Sequence, residues 1–306
     1  MKLSIGALWA WLASIVSPLL TLLSLIAVWF TATLLRVAHK RGELVPKPEA
    51  VGLGAVTNFF DTLGIGSFAP TTAYMKLRKM APDSYFPAIL NAGHALPTVV
   101  QALVFITLVK VDPALLLTCI IAAVAGAFVG APMVQRSPVR LVQGVVGVAL
   151  LVAAALYAAK NLGYIPDTSS EAGAIELAAP LFATAVAAHF VLGVLMMYGI
   201  GLYAPSLIIL TLLGLSPKAA FPIMMGACAF LMPISSLRFV RSERIDLRIV
   251  LGLALGGIPA VLLAAFVVTG LPLVTLRWLV VVVVLYAAAL LLRSAFVGGK
   301  TASAAT

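Results

Sequence analysis

Charge is what this chain has least of. Only 10% of its 306 residues are Asp, Glu, Lys or Arg, against roughly a quarter in soluble globular domains. So few charges cannot cover the surface of a water-soluble domain of this size, which excludes a soluble α/β enzyme. Apolar residues make up 63% of the chain, which excludes intrinsic disorder. Cysteine is scarce as well. Cys119 and Cys228 both lie inside apolar runs, so they read as packed thiols, and a disulfide-stapled secreted scaffold is excluded. There is no His-Glu-x-x-His zinc motif and no Gly-x-Ser-x-Gly elbow. Asp61 has no second intramembrane carboxylate with which to form an aspartyl dyad. An enzyme is therefore not expected, nor is a metal or cofactor. A Ser67–His94 dyad for an intramembrane hydrolase is the one enzymatic alternative.

What is present is a series of apolar runs of about 20 residues, the length that carries a helix across a bilayer core of about 30 Å. The first goes from Leu3 to Leu35, contains Pro18, and reads as a retained helix rather than a cleaved signal peptide. A polar stretch, Arg36 to Ala50, holds Pro46 and Pro48 and cannot span. A broken segment, Val51 to Met75, then precedes helices over Ser84–Leu108, Ala114–Val134 and Val139–Ala159. The loop Lys160 to Gly173 carries Asp167 and Glu171. A second broken segment, Ala174 to Leu213, precedes helices over Ala219–Leu237, Leu247–Thr269 and Leu273–Leu292, and the tail from Val297 reads as disordered.

The second series repeats the first. Gly64-Ile65-Gly66-Ser67-Phe68-Ala69-Pro70 aligns with Gly199-Ile200-Gly201-Leu202-Tyr203-Ala204-Pro205. At the same offset Pro82 falls on Pro217 and Phe86-Pro87 on Phe221-Pro222, while Pro97 and Pro233 are one residue out of register. The organisation expected is residues 1–50 as an N-terminal helix and linker, 51–160 as repeat 1, 174–292 as repeat 2, and 293–306 as a cytoplasmic tail.

Net charge is +10, but the basic residues lie in short connections and read as orientation signals rather than as a nucleic-acid surface. Placing Arg36–Ala50, Lys76–Asp83, Gln135–Arg140, Arg238–Arg248 and the tail in the cytoplasm accounts for 15 of the 20 Lys and Arg residues. Lys2, Lys110, Lys160, Lys218 and Arg277 fall on the other side. Equivalent loops then lie on opposite faces, so the repeats are inverted, as in many secondary transporters. The assignment requires each broken segment to return to the side it came from, as a re-entrant hairpin whose tip is Gly64–Gly66 or Gly199–Gly201. One full kinked span per segment is the alternative, disfavoured because it worsens the charge asymmetry. The fold expected is an all-α polytopic transmembrane bundle of two inverted-topology repeats, each a glycine-broken segment followed by three helices, plus the N-terminal helix.

Half-helices starting at Ser67 and Leu202 would aim their amides and dipole-positive ends at a common centre, where an anion can bind. Polar residues gather in the first half. Thr57, Asn58, Asp61 and Thr62 precede the first tip, and Asn91, His94, Thr98 and Gln101 share one arc of the next helix. The second half has Leu192, Gly193 and Met196 in place of Thr57, Asn58 and Asp61, and Ala229 in place of His94; it contributes backbone, Tyr198, Tyr203, Ser206 and His189. Asp61 is the carboxylate set well inside an apolar segment, a functional candidate by default and a candidate proton carrier. Its structural alternative is to cap a half-helix or to pair with His94.

The stretch Gly52 to Pro70, with Thr57-Asn58-Phe59-Phe60-Asp61-Thr62 leading into the first tip, and the second tip at Gly199 to Pro205, resemble the sulfite exporter TauE/SafE family. This is also known as the toluene sulfonate uptake permease family. The resemblance covers Val51 to Leu292. Many members have three consecutive glycines at these tips, where this chain separates two glycines by one residue. With the Phe-Phe-Asp stretch, that departure points to a subgroup whose substrate differs from sulfite. The resemblance implies transport of small sulfur-containing anions (sulfite, sulfonates or sulfoacetate) across a bacterial cytoplasmic membrane, coupled to protons. An anion channel is the alternative. The substrate-binding set expected is Asn58, Thr62, Gly64, Gly66, Ser67, Asn91, His94, Thr98, Gln101, Gly199, Gly201 and Tyr203, with Asp61 and His94 coupling protons. Partners expected are the anion, protons and membrane lipids, with a homodimer left open and nucleic acid excluded.

Overall fold

The computed structural model describes residues 5–133, 139–164, 174–197, 200–241 and 244–297. Among them are eleven α-helices and a single isolated bridge between Ala174 and Leu215. The helices are α1 Ile5–Arg41, α2 Pro48–Thr62, α3 Phe68–Leu77, α4 Phe86–Leu108, α5 Pro113–Met133, α6 Val139–Asn161, α7 Ala179–Met197, α8 Tyr203–Leu212, α9 Pro217–Val240, α10 Leu247–Gly270 and α11 Leu273–Val297. Eight are long and apolar enough to cross a membrane: α1, α4, α5, α6, α7, α9, α10 and α11. Much of the exposed surface is itself apolar, with Phe266 82% and Val274 67% exposed. A chain built this way is a multi-pass membrane protein, its outer side chains suited to lipid rather than water.

Both expected breaks occur. α2 begins with Pro48 in its first turn, where a missing N–H costs nothing. It ends at Thr62, before Gly64 (φ +94°) and Gly66 (φ +88°), two backbone conformations that exclude most side chains. α3 and α8 are each ten residues long and begin at equivalent places, Phe68 and Tyr203, with Pro70 and Pro205 in the first turn. α4 begins at Phe86, two residues later than expected, because a 3-10 turn over Asp83–Tyr85 leads into it; several other helices run longer than expected. α1 continues through the start of the polar stretch because His39, Lys40 and Arg41 suit its C-terminal dipole. α11 runs past Arg293 to Val297, so the first residues assigned to the tail are helical. The rest of the tail, Asp167, Glu171, Tyr198 and Gly199 lie outside the described residues.

Glycines set the tightest helix contacts. α5 lies on α7 so closely that a Cβ on Gly193 would strike the Ala123 carbonyl oxygen, and one on Gly126 the Phe190 carbonyl oxygen. α2 lies on α10 in the same way, through Gly54 against Leu253 backbone and Gly256 against the Val51 carbonyl. Small residues at such crossings let backbones approach, the main source of helix association in lipid. α4 packs on α9, and α6 on α11.

Polar contacts tie the loops at each end. At one end, Lys47 pairs with Asp246 (2.7 Å), Glu43 accepts from the Leu247 amide (2.8 Å), and Arg41 donates to the Arg241 carbonyl (3.3 Å). At the same end Glu49, in the first turn of α2, accepts from Tyr74 (3.0 Å) and Arg78 (2.7 Å), one in the last turn of α3 and one just after it. These hydrogen bonds, that from Arg78 first, hold the Glu49 carboxyl below its usual range. At the other end, the Ser216 amide donates to the Ala174 carbonyl (2.8 Å) and the Asp112 amide to the Ile175 carbonyl (2.9 Å).

Candidate functional site at the helix breaks

Asp61, in the last turn of α2, is 4% exposed. Its Oδ1 accepts from the Ser67 amide at 2.7 Å, and its Oδ2 accepts from Gln101 Nε2 at 2.9 Å. Gln101 Nε2 also reaches Thr62 Oγ1 (2.9 Å), while its Oε1 accepts from the Tyr203 hydroxyl at 2.6 Å. Tyr203 is the first residue of α8. A continuous hydrogen-bonded path therefore runs from the N-cap of α3, through Asp61 and Gln101, to the start of α8. Thr98, one turn before Gln101 on α4, is buried as well. The first tip also touches α8 directly, since a Cβ on Gly64 would lie 3.4 Å from Leu207.

The other polar residues form a second path beside the first. His94 Nδ1 lies 3.0 Å from Asn58 Oδ1, and His94 Nε2 lies 3.1 Å from Thr71 Oγ1. Asn58 donates its own amide to the Gly54 carbonyl (2.8 Å), which leaves its oxygen facing the imidazole. Nδ1 then carries the proton and Nε2 accepts from the threonine hydroxyl. His94 is fully buried and fastens α4 to α2 and α3. His189 on α7 is held similarly: Nδ1 donates to the Ala185 carbonyl (2.8 Å) and Nε2 faces Ser206 Oγ on α8 (2.9 Å).

Of the residues singled out in the sequence, Asn58, Asp61, Thr62, Ser67, His94, Thr98, Gln101 and Tyr203 are thus brought together and buried. Asn91 is not among them. It is half-buried and bonds back to the Pro87 carbonyl of its own helix (2.9 Å). Asp61 and His94 share no hydrogen bond, because each has other partners. Nor is the Ser67 amide vacant: the Asp61 carboxylate occupies it. Thr71 was not singled out in the sequence, although it stands at the position equivalent to Ser206 and could have been found by that correspondence.

Two glycines at the breaks face unfilled space. A Cβ on Gly66 or on Gly201 would meet nothing within 4 Å, and Gly201 is exposed although its neighbours Ile200 and Leu202 are buried. Space therefore adjoins both breaks. Among the described residues no group of three or more His, Cys, Asp or Glu is placed to hold a metal ion.

No protein-family model matches this chain, and no curated protein or solved structure is significantly similar to it.

Proposed function

We propose that this protein is a proton-coupled secondary transporter that carries small sulfur-containing anions of the sulfite, sulfonate or sulfoacetate class across a bacterial cytoplasmic membrane. The observation that carries the reading is the Ser67–Asp61–Gln101–Tyr203 path, a buried carboxylate seated between two half-helices. The substrate class rests on the resemblance of the Thr57–Pro70 stretch to the sulfite exporter TauE/SafE family.

Inverted repeats are supported by how the ends are tied. Glu49 and Arg78 pair, so the α2–α3 segment begins and finishes at one end of the bundle. Ala174 and Ser216 pair, so the segment holding α7 and α8 begins and finishes at the other end, about 36 Å away along the 24 residues of α10. Such hairpins enter from opposite faces. The packing of α2 on α10 and of α7 on α5 exchanges partners between halves, as an inverted pair of repeats would.

The chemistry follows from what Asp61 accepts. Ser67 N–H and Gln101 NH2 are both donors, and they satisfy a carboxylate. Protonation turns one Asp61 oxygen into a hydroxyl, a weaker acceptor, so the bond that oxygen takes is loosened. Where that bond is the one from Ser67, the amide at the dipole-positive start of α3, beside the space at Gly66, becomes available to the oxygen of an entering anion. Proton and anion thus bind together, while the empty site keeps its own carboxylate as an internal anion. Gln101 and Tyr203 carry this state to α8. The test is a proteoliposome flux assay over sulfite, thiosulfate, sulfonates and carboxylates, with and without a proton gradient. Gradient-accelerated, saturable flux of the sulfur anions is expected; flux that neither saturates nor responds to the gradient would identify a channel.

A further inference from the structure

A cavity of about 500 Å³ lies where α4 and α10 end and α9 begins, at the opposite end of the bundle from the Lys47–Asp246 tie. Leu108 and Ile175 on its edge are 64% and 44% exposed, so it is open to the surroundings. Val109, Ile175 and Ser216 in its wall belong to connections between helices. Lipid-exposed connections lie outside the hydrocarbon, so the mouth is in water. Two buried residues that line it, Phe105 on α4 and Phe221 on α9, are 1% exposed each. Their rings stack, with centroids 5.3 Å apart and planes 18° from parallel.

α4 sets this stack against the site at the helix breaks. Thr98, Gln101 and Phe105 fall at i, i+3 and i+7, one stripe of the helix. Side chains on a helix lean toward its N-terminus, so the Phe105 ring covers the turn that carries Gln101. Thr98 and Gln101 are buried and line no part of the cavity, which along this stripe ends at Phe105. Gln101 in turn bonds Asp61 and Tyr203. The stack stands between space open to water and the hydrogen-bonded path.

We infer that this cavity is the aqueous mouth of the route to Asp61, and that the Phe105–Phe221 stack is the barrier that closes the route at this end. The mouth admits a small hydrated anion, and the inference rests on the transport reading for that cargo. A dry apolar constriction stops such an ion, which cannot shed its water against carbon. The stack is also a barrier that can open at small cost. Its rings come from different helices, and parting them leaves no polar group unpaired.

The test is the rate at which a water-soluble methanethiosulfonate bearing a sulfonate reaches a thiol behind the stack. Thr98→Cys supplies that thiol in the full chain carrying Cys119→Ala and Cys228→Ala, held in phosphatidylcholine nanodiscs. Adding Phe105→Ala/Phe221→Ala should raise the labelling rate at least about tenfold. Phe30→Ala, which empties an equally buried aromatic place on α1, should not. Val109→Trp, which fills the mouth, should return the double Ala variant to the slow rate. Melting profiles accompany every variant. Where the double Ala form does not fold, Phe105→Leu and Phe221→Leu singly should each raise the rate. Labelling unchanged when the stack is removed, raised as much by Phe30→Ala, or unaffected by Val109→Trp overturns the inference. Labelling reads access without transport, so the two readings fail separately. Gated labelling with no sulfur-anion flux keeps the route and removes its cargo; sulfur-anion flux with ungated labelling keeps the cargo and overturns the route.

Discussion

The Asp61 carboxylate caps the half-helix that follows it: Oδ1 accepts from the Ser67 amide at 2.7 Å, across the two left-handed glycines Gly64 and Gly66. This contact makes Asp61 both a structural cap and the occupant of the place an anion would take. A carboxylate at a helix N-terminus is stabilised by the dipole and the free amides there, and a substrate anion is stabilised by the same groups. In the proposed function the two compete, and protonation of Asp61 resolves the competition.

Gln101 is the joint of the path, giving hydrogen bonds to Asp61 and Thr62 and taking one from Tyr203. Gln101→Leu leaves the buried carboxylate with one donor fewer and the phenol without its acceptor. Each such unmet group costs about 1–3 kcal/mol. The variant should melt several degrees below wild type in detergent and lose proton-driven flux, while Asn91→Ala, which breaks only a bond within its own helix, should do neither. Thermal denaturation followed by tryptophan fluorescence, with flux on the same preparations, checks both.

The glycines divide into two kinds, and substitution separates them. Gly193→Ala should fail to fold or melt far below wild type, because its Cβ runs into the Ala123 carbonyl oxygen and backbone cannot step aside cheaply. Gly201→Ala meets open space at an ordinary φ and should melt like wild type while transport falls, if its exposed face holds the anion. Gly66→Ala also meets open space, but at φ +88° it should lose about 1–2 kcal/mol from backbone strain alone. Size-exclusion profiles and melting curves of the three variants order them.

How much of this was legible in the sequence depends on distance along the chain. Both breaks were legible, because Gly-x-Gly-x-x-Ala-Pro carries its own backbone chemistry, and so was the clustering of Asp61, His94, Thr98 and Gln101, which lie on neighbouring elements. The ten-residue lengths of α3 and α8 follow from the same repeated motif. What could not be read were contacts that join the halves. Nothing local in Tyr203 announces Gln101 as its acceptor, and nothing in Gly193 announces Ala123. Asp61 had two readings in the sequence, proton carrier or cap. The structure gives it the cap without excluding the proton, because a protonated carboxyl can still accept, though more weakly.

The Glu49 clip makes a pH prediction that is independent of transport. The Arg78 hydrogen bond, and then that of Tyr74, depresses the Glu49 carboxyl below its ordinary 4.5. A depressed carboxyl contributes stability that is present above its unfolded value and is lost as pH falls through the folded value. The tie between the start of α2 and the end of α3 should therefore hold at neutral pH and loosen below about pH 4.5. Hydrogen exchange at residues 76–82 should rise on acidification in wild type, and should already be raised, with little further change, in Glu49→Gln.

The most direct measurement is anion flux into proteoliposomes as the pH gradient is varied, for wild type and Asp61→Asn side by side. Wild type should transport faster as protons are supplied on the side of the anion, and should carry protons with it. Asp61→Asn, which cannot gain and lose a proton, should lose the gradient dependence while anion exchange in the absence of a gradient continues. Full gradient-driven flux in Asp61→Asn would contradict the account.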